Sequence, residues 1–598
     1  MPSTSLDHPR RLADYSADYR MLILAAMATV AGTGGAFSAW ALLKLIAFTT
    51  NVLWYGDFSF AKAVIANRVP LLVLVIPVAG GLVVGLMARF GSDKIRGHGI
   101  PEAIETILFG ESRLSPKVAL LKPLSSAVSI GSGGPFGAEG PIIMTGGAIG
   151  SLFAQLFRLS AAERKTLLVA GACAGMTGIF GTPFASIMLA VELLLFEWKP
   201  RSFVPVVTAV LVAFAWRPLL VGSGPLFPFA APTPAGIEPV AISALLGLMT
   251  GLLAALLSVV LYRIEDGFHR LPVHWMWWPA IGAVVVAIGG LFDIRVLGAG
   301  YGSIQALLDG NLVVKAVVLL LVVKAIVWLV ALGSGTSGGI LAPLLILGGC
   351  AGFLIGQYLP GDPGFWAMVG MAGIMSGVMR APMTGALFAA ELTNHLSALP
   401  ETIAAGAAAY AISVLILKRS ILTEKIARRG RHILREYSVD QLEFLLAGQL
   451  MTRDPKTLRA SMPIPDVLRF FADEAQHRSY PVVDEEGRLL GLVSRSDALR
   501  WQVANNVEGQ LGDRLSDAST QSAYPDTPCG AVADLMVESG VGRVSVVDPK
   551  TRRVVGIISR QDLLKVRATQ NRGEKVRPVR RPKFVRAVRR ATERPPSK

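Results

Sequence analysis

The hydropathy of the chain divides it into a long apolar part and a shorter polar part. Apolar runs follow one another from Met21 to Leu417, and several are long enough to cross a bilayer. Many are interrupted by glycine and proline, most densely at 131–141 and 333–343. Backbone that is not helical is tolerated at membrane depth only where protein buries it or a water-filled path adjoins it. The pattern therefore predicts an all-α polytopic membrane domain whose broken helices mark a permeation or transport site.

The two interrupted segments are copies within an internal repeat. Both open with Gly-Ser-Gly and close with proline over the same length. Downstream, a proline-led segment that ends at Glu192 resembles one that ends at Glu391. Matching landmarks in matching order, roughly 200 residues apart, are typical of duplicated channels and transporters, whose site lies where the halves meet. We expect the two halves at about 30–225 and 235–425. Whether they run parallel or inverted depends on the number of membrane crossings in each half, which the apolar runs do not fix.

The polar part of the chain contains a second duplication. Val-Val-Asp followed by Gly-x-x-Ser-x-x-Asp occurs at 482–497 and again at 546–562. Each copy predicts two short strands and then a helix with a good N-cap residue, which indicates an α/β module. The predicted organisation is a cytoplasmic N-terminal segment, a membrane transport domain, a linker, two module copies and a basic disordered tail, at 1–20, 21–430, 431–445, 446–505, 512–568 and 571–598.

Composition and charge exclude a single soluble domain. Only 17% of residues are charged, 52% are hydrophobic and the mean hydropathy is +0.52. Most of the net charge of +16 follows residue 417, which indicates cytoplasmic orientation and attraction to anionic lipid rather than a nucleic-acid partner. We expect a multi-pass membrane protein of the bacterial inner membrane with both termini cytoplasmic. The cysteines are too few and the histidines too scattered for a disulfide framework or a metal site.

Three segments have the composition of an anion site. Each joins glycine to a proline at a predicted helix start, and they are Gly97–Pro101, Gly137–Pro141 and Gly339–Pro343. Helix starts present unpaired N–H groups and the positive end of the helix dipole, which favour an anion without trapping it against a full countercharge. The carboxylate of Glu139 could take the anion's place when ionised and leave when protonated, although a glutamate here could also be an ordinary helix cap.

These motifs resemble those of the CLC family of chloride channels and proton-coupled chloride transporters. The three motifs in order, the paired proline-to-glutamate segments and Lys122 carry the resemblance, which spans essentially 21–430. It implies a CLC-type fold with inverted halves and a homodimer with a path for chloride or a similar anion in each subunit. It also implies that Glu139 is the gating glutamate. The anion contacts that it implies are Gly97, His98, Gly99, Ile100, Gly140, Gly339, Ile340 and Leu341.

The chain departs from the family pattern at three positions. His98 replaces the usual serine. It either coordinates the anion, and then makes transport pH-dependent or alters selectivity, or it is turned away toward the cytoplasmic mouth. Leu422 stands at the inner gate, where the family often has tyrosine. Leu193 stands where exchangers often have a second glutamate, for which Glu197 or water could substitute. Channel and strict chloride/proton antiporter both remain open.

The C-terminal pair resembles tandem cystathionine-β-synthase (CBS) domains. The only cofactor that this resemblance implies is an adenine nucleotide, with ribose and phosphate contacts from Ser494, Asp497, Ser559 and Asp562. The same serine and aspartate pairs also suit ordinary helix caps.

Other classes of protein explain less of the sequence. A membrane-bound enzyme is not supported, because the glycine-rich 131–134 lacks the Lys-Ser/Thr of a phosphate loop and no catalytic or metal-binding set stands out. A nucleotide-sensing membrane scaffold would leave the duplicated membrane half unexplained. We therefore expect a transport protein rather than an enzyme.

Overall fold

The computed structural model describes residues 19–66, 69–234, 236–431, 433, 442, 445–505, 507–515 and 521–566. One compact unit spans Tyr15–Arg435, and the C-terminal module from Glu436 onward belongs to a second unit. The predicted N-terminal segment before residue 19, most of the predicted linker and the predicted basic tail lie outside the described residues.

The first unit is almost entirely helical, as the apolar runs predict. Within the described residues, seven helical stretches are long and apolar enough to span a membrane. The chain is therefore a multi-pass membrane protein, and its helices are α1 (Arg20–Tyr55), α2 (Pro70–Phe90), α3 (Ile100–Phe109), α4 (Pro116–Gly131), α5 (Glu139–Gln155), α6 (Ala161–Phe180), α7 (Pro183–Leu189), α8 (Pro200–Leu220), α9 (Ile237–His269), α10 (Trp278–Phe292), α11 (Tyr301–Leu308), α12 (Val314–Gly333), α13 (Leu341–Gly356), α14 (Pro363–Met379), α15 (Pro382–Leu392), α16 (Leu399–Ile416) and α17 (Ile421–Arg428).

Helices α1–α8 are matched in order by α9–α16, and the two halves are inverted. Arg20 at the start of α1 pairs with Glu163 at the start of α6 (2.8 Å), and Lys165 pairs with Glu197 just before α8 (3.8 Å). Helices α1, α6 and α8 therefore begin on one face. Because α8 crosses the unit, α9 begins on the opposite face after the loop 221–236. This settles the orientation that the sequence pattern alone left open.

Helix α2 returns the chain to the first face, where α3 begins and α17 packs against it. We call this side the α17 face. The second half begins on the other side, so the loop before α11 lies on the face opposite α17.

Glycines allow the broken helices to approach one another closely. A Cβ atom at Gly150 of α5 would overlap the carbonyl oxygen of Leu167 on α6, and one at Gly352 of α13 would overlap that of Trp366 on α14. The same close helix pair therefore occurs in both halves. Such packing with small residues is a common way to associate membrane helices.

The C-terminal module is the duplicated α/β unit that the sequence predicts. Its helices and strands are α18 (Ala447–Leu450), β1 (Thr452–Arg453), β2 (Leu458–Arg459), α19 (Ile464–Arg469), β3 (Ser479–Val483), β4 (Leu489–Ser494), α20 (Arg495–Val503), β5 (Ser522–Ala523), α21 (Cys529–Glu538), β6 (Arg543–Val547) and β7 (Val554–Ser559). In each copy a short strand pairs in parallel with the first strand of an antiparallel pair, giving the sheet orders β2-β3-β4 and β1-β7-β6-β5. Each copy has its own hydrophobic core.

Candidate anion site

The three glycine-proline segments meet at the centre of the membrane unit. Gly137 and Gly339 form an antiparallel bridge, in which the N–H of Gly137 donates to the carbonyl of Gly339 (3.1 Å) and the reverse bond is 2.8 Å long. The N–H of Gly97 donates to the carbonyl of Gly335 (3.2 Å), which docks the first segment on the third. The starts of α3, α5 and α13 therefore converge where the two halves meet.

Two glycines make this convergence possible. A Cβ atom at Gly140 would overlap the carbonyl oxygen of His98 and would lie 3.3 Å from the Cα atom of Gly339. Gly99 has a positive φ of 87°, and a Cβ atom there would lie 2.9 Å from the carbonyl oxygen of Gly140. The backbones of the three segments are thus in direct contact, and no side chain separates them.

Glu139 places its carboxylate at a helix start of the other half. It is the first residue of α5 and is fully buried. Its Oε1 atom accepts a hydrogen bond from the N–H of Ala342 in the first turn of α13 (2.8 Å), while Oε2 has no hydrogen-bond partner in the part of the chain that the structure describes. The carboxylate therefore accepts a hydrogen bond at the start of α13, and N–H groups at a helix start are of the kind that bind anions.

The donor from α13 differs from the expected one. The N–H of Gly339 is used in the bridge to Gly137, so it does not face the carboxylate. Ile340 and Leu341 are buried at the same helix start, but the N–H that meets Glu139 belongs to Ala342. Ala342 was missed because the sequence pattern locates the start of α13 but does not show which of its N–H groups faces the Glu139 carboxylate.

His98 is a buried side chain on the α17 face of the site. Only 4% of its surface is exposed, and its Nδ1 atom has no hydrogen-bond partner among the described residues. Lys425, Lys122 and Arg429 lie within electrostatic reach of the ring, opposed by Glu102. Burial first, and then this excess of positive charge, disfavour a second proton on the imidazole, so we expect a neutral ring that offers one N–H.

Lys122 binds the backbone of residues 95–99, which we call the His98 loop. Its Nζ atom donates to the carbonyls of Ile95 (2.8 Å) and Gly97 (2.7 Å) and to the hydroxyl of Ser337 (3.1 Å). An ammonium group bound to carbonyl oxygens fixes the loop and adds positive charge near the site. Lys122 is thus a buried part of the site, as the resemblance implies.

A lysine on α17 joins the same region. The Nζ atom of Lys425 pairs with Glu102 (2.8 Å) and lies against Gly97, and Arg429 also pairs with Glu102 (3.1 Å). Sequence analysis missed Lys425 because it stands in a basic run interpreted as the exit from the membrane. Its position one helical turn after Leu422 is the signal that could have identified it.

Leu422 is buried at the start of α17 and offers no donor. A tyrosine from another helix reaches this region instead, since the hydroxyl of Tyr262 on α9 donates to the carbonyl of Ile421. This hydroxyl is bound to the backbone of α17, and the inner-gate role of the Leu422 position stays a prediction.

The glutamates of the repeated proline-to-glutamate segments cap helices of the opposite half. Glu192 accepts from the N–H groups of Met383 (3.2 Å) and Thr384 (2.8 Å) at the start of α15. Glu391 accepts from the N–H groups of Phe184 and Ala185 at the start of α7, at distances of 3.0 and 2.7 Å. The geometry assigns both carboxylates a structural role between the halves.

Glu197, the candidate substitute for the second proton glutamate, lies in a polar cluster. It accepts from the hydroxyl of Ser202 (3.0 Å) and pairs with Lys199 (3.5 Å) and Lys165 (3.8 Å). A role in proton transfer stays a prediction.

The serine and aspartate pairs of the C-terminal module form helix caps. Asp497 accepts from the N–H and hydroxyl of Ser494 (3.0 and 2.6 Å), and Asp562 makes the same bonds to Ser559. The bonds from Ser559 hold the pKa of Asp562 below its usual value. In each aspartate one oxygen is used by the cap, and the other faces only a basic side chain one turn on.

Comparison with known proteins decides the family. Residues 79–414 match the sequence profile described as voltage gated chloride channel, and residues 447–504 and 519–569 match the CBS domain. The chain belongs to the CLC family. The three glycine-proline segments occur in the order that this family predicts. They meet at the centre of the membrane unit, where the two inverted halves are in contact.

Several relatives and solved structures are similar to this CLC protein. The H(+)/Cl(−) exchange transporter ClcA of Salmonella paratyphi A is 27% identical over 58% of this chain and 78% of its own length, and that of Vibrio vulnificus is 29% identical over 56% and 76%. A slow cyanobacterial Cl−/H+ antiporter has the same fold, with a TM-score of 0.60 and 20% identity over 69% of this chain and 99% of its own. A eukaryotic CLC transporter gives a TM-score of 0.58 and 20% identity over 91% and 98%.

Proposed function

We propose that this CLC protein moves chloride or a similar small monovalent anion across the membrane, with Glu139 as the gate. The observation that carries the proposal is the hydrogen bond from Ala342 to the Glu139 carboxylate, because it puts a negative group where helix starts of both halves converge. A free anion and this carboxylate compete for the same amide donors. Protonation removes the charge of the carboxylate, which weakens its hold and frees the position.

The inner approach to the site is made of neutral and positive groups. His98 contributes a neutral ring and the backbone of its loop, and Lys425 provides an ammonium group that is partly neutralised by Glu102. The α17 face is proposed to be cytoplasmic, because the basic residues that follow α17 suit a positive-inside orientation. As the resemblance implies, the working protein is proposed to be a homodimer in which each subunit has its own path.

The coupling of the anion to protons has two candidate forms. Leu193 in place of a second glutamate and the ion pairs of Glu197 favour passive anion conduction. The names of the ClcA relatives favour a strict chloride/proton antiporter, in which Glu197 or water would deliver the proton.

Simultaneous anion and proton flux tests the proposal. Purified protein in liposomes with a chloride electrode outside and a pH dye inside is compared with Glu139→Ala, for which we expect anion flux without proton movement and without dependence on pH. Glu238→Ala is the control, because Glu238 is exposed in the first turn of another apolar helix. Unchanged flux and unchanged proton response in Glu139→Ala would contradict the gate assignment. In the native protein, proton movement against its gradient identifies the antiporter, and its absence identifies the channel.

Replacing His98 by serine is expected to change the preference among chloride, nitrate and fluoride by several fold. The reason is that a small hydroxyl replaces a larger ring with a differently placed N–H donor. His98→Gln, which keeps an N–H donor, should change the preference less. Competitive flux measurements check this, and equal selectivity in all three proteins would show that the imidazole does not face the anion.

We further propose that the C-terminal module regulates transport and takes an adenine nucleotide at the Ser494, Asp497, Ser559 and Asp562 positions. In each aspartate the oxygen outside the cap pairs with a basic side chain, Arg500 (3.6 Å) or Lys565 (3.5 Å), and a ribose hydroxyl would have to share or displace that pairing. ATP is expected to raise the thermal midpoint of the full chain, and Asp497→Asn with Asp562→Asn should remove the increase. The absence of any increase with millimolar ATP in the native protein would reject the nucleotide.

A further inference from the structure

The loop before α11 repeats the His98 loop on the face opposite α17. Lys324 donates to the carbonyls of Val296 (2.8 Å) and Gly298 (3.0 Å), just as Lys122 binds two carbonyls of the loop before α3. Both lysines are fully buried, and in both halves the supported loop leads directly into a short helix. The chain therefore builds the same lysine-backed loop twice, once toward each face of the membrane.

Tyr301 is the first residue of α11 and points its hydroxyl toward the gate. The hydroxyl lies beside the backbone amide of Ala138 and within electrostatic reach of the Glu139 carboxylate. Its oxygen is buried and is approached by the N–H of Ala138 as a donor, while its hydrogen has no acceptor among the described residues. The ring packs edge-on against Phe227 at a centroid distance of 5.8 Å, which holds the hydroxyl in place.

A buried hydroxyl whose hydrogen has no acceptor destabilises a protein, so its retention calls for a ligand that accepts that hydrogen bond or for another use. The surroundings favour an anion as that ligand. The hydroxyl is a neutral donor, and the ammonium group of Lys324 lies behind the same loop, 3.6 Å from where a Cβ atom at Gly300 would be. A neutral donor backed by a lysine that is tied to carbonyl oxygens resembles the arrangement around His98 in the first half.

We propose that the Tyr301 hydroxyl is the donor of an anion subsite between Glu139 and the face opposite α17. A small monovalent inorganic anion binds there on its way to or from the position of the Glu139 carboxylate. The inference rests on the proposed function and deepens it, because it gives the second half a side-chain donor that faces the gate.

The test is a sided measurement of chloride dependence for Tyr301→Phe. Protein is reconstituted in one orientation through an affinity tag at the C-terminus, and chloride is varied on one face at a time. Losing one hydrogen bond to the anion should raise the half-saturating chloride concentration on the face opposite α17 by about three- to tenfold. The maximal flux and the half-saturating concentration on the α17 face should stay unchanged.

Two control variants separate binding from packing. Tyr358→Phe removes the hydroxyl of an exposed tyrosine just beyond α13 and should change neither constant. Tyr301→His restores an N–H donor and should recover part of the affinity. An equal change on both faces, no change in Tyr301→Phe, or a loss explained by a lower thermal midpoint would overturn the subsite.

The Glu139→Ala background distinguishes this inference from the proposed function. If Tyr301 binds the anion directly, Tyr301→Phe should weaken chloride by the same factor when Glu139 is absent. If the effect disappears in that background, Tyr301 acts only by positioning the carboxylate and the subsite is wrong. If Glu139→Ala alone behaves as the native protein, the gate proposal fails, whatever Tyr301→Phe does.

Discussion

Gly140→Ala is expected to reduce anion flux at least tenfold. The added Cβ atom would overlap the carbonyl oxygen of His98 and would lie 2.9 Å from its carbonyl carbon, so the start of α5 and the loop before α3 would have to separate. Backbone atoms cannot turn aside as a side chain can, and overpacking of this kind typically costs about 1–3 kcal/mol. The larger effect falls on transport, because the separation displaces the groups that surround the anion position.

Gly147→Ala on the same helix is the matched control for Gly140→Ala. The nearest atom to a Cβ atom there would be in the side chain of Leu168 at 3.3 Å, which can adjust by a small shift, and the contacts to Ala172 and to the Leu168 carbonyl at 3.5 Å are ordinary van der Waals contacts. Flux in liposomes and the thermal midpoint in detergent are measured for both variants. Flux in Gly140→Ala within twofold of the native value would show that the three segments are not held together as the structure has them.

Lys122→Met is expected to cause the largest loss of stability. Methionine fills a similar volume but leaves the carbonyls of Ile95 and Gly97 without their ammonium donor, whereas the hydroxyl of Ser337 keeps its bonds to Ser125 and Ser126. With roughly 1–3 kcal/mol for each buried acceptor left unsatisfied, we expect a loss of about 2–6 kcal/mol. Transport should fall with it, because the same lysine fixes the His98 loop.

Lys324→Met and Lys315→Met provide the comparison for Lys122→Met. Lys324 makes the corresponding two carbonyl bonds in the second half, so its replacement should be nearly as destabilising. Lys315 is exposed in the first turn of the same helix, and its replacement should change little. Thermal unfolding followed by fluorescence ranks the three variants. Equal midpoints for all three would mean that the buried ammonium groups do not support the loops.

The centre of the site could be predicted from the sequence because its parts carry strong local signals. Glycine and proline at helix starts are visible without a structure, and the repeated Gly-Ser-Gly ties two of the three segments together. The carboxylate of Glu139 follows from its place in one of them. Each of these features depends on residues that are close together in the chain.

The contacts across the halves could not be predicted in this way. Tyr301 was missed because the loop that leads into it, Gly298-Ala-Gly-Tyr-Gly302, lacks the proline that marks Gly97–Pro101. Lys324, which binds this loop from α12, was missed with it. Ala342 meets Glu139 because its N–H group points toward the carboxylate, and Lys425 reaches Glu102 because α17 packs on α3. The pairs Glu139–Ala342 and Glu102–Lys425 join residues more than 200 positions apart, and hydropathy and spacing contain no information on them.

Glu192 caps a helix of the second half and Glu391 caps a helix of the first, and this reciprocal capping affects the order in which the protein can fold during synthesis. While only the first half has entered the membrane, Glu192 lacks the helix it will cap and α7 lacks its own cap, so two polar groups await partners in an apolar surrounding. Neither half is complete as a separate product. The fold should therefore close late in synthesis, once α15 has been inserted, and a truncated first half should be degraded unless the second half is supplied as a separate chain.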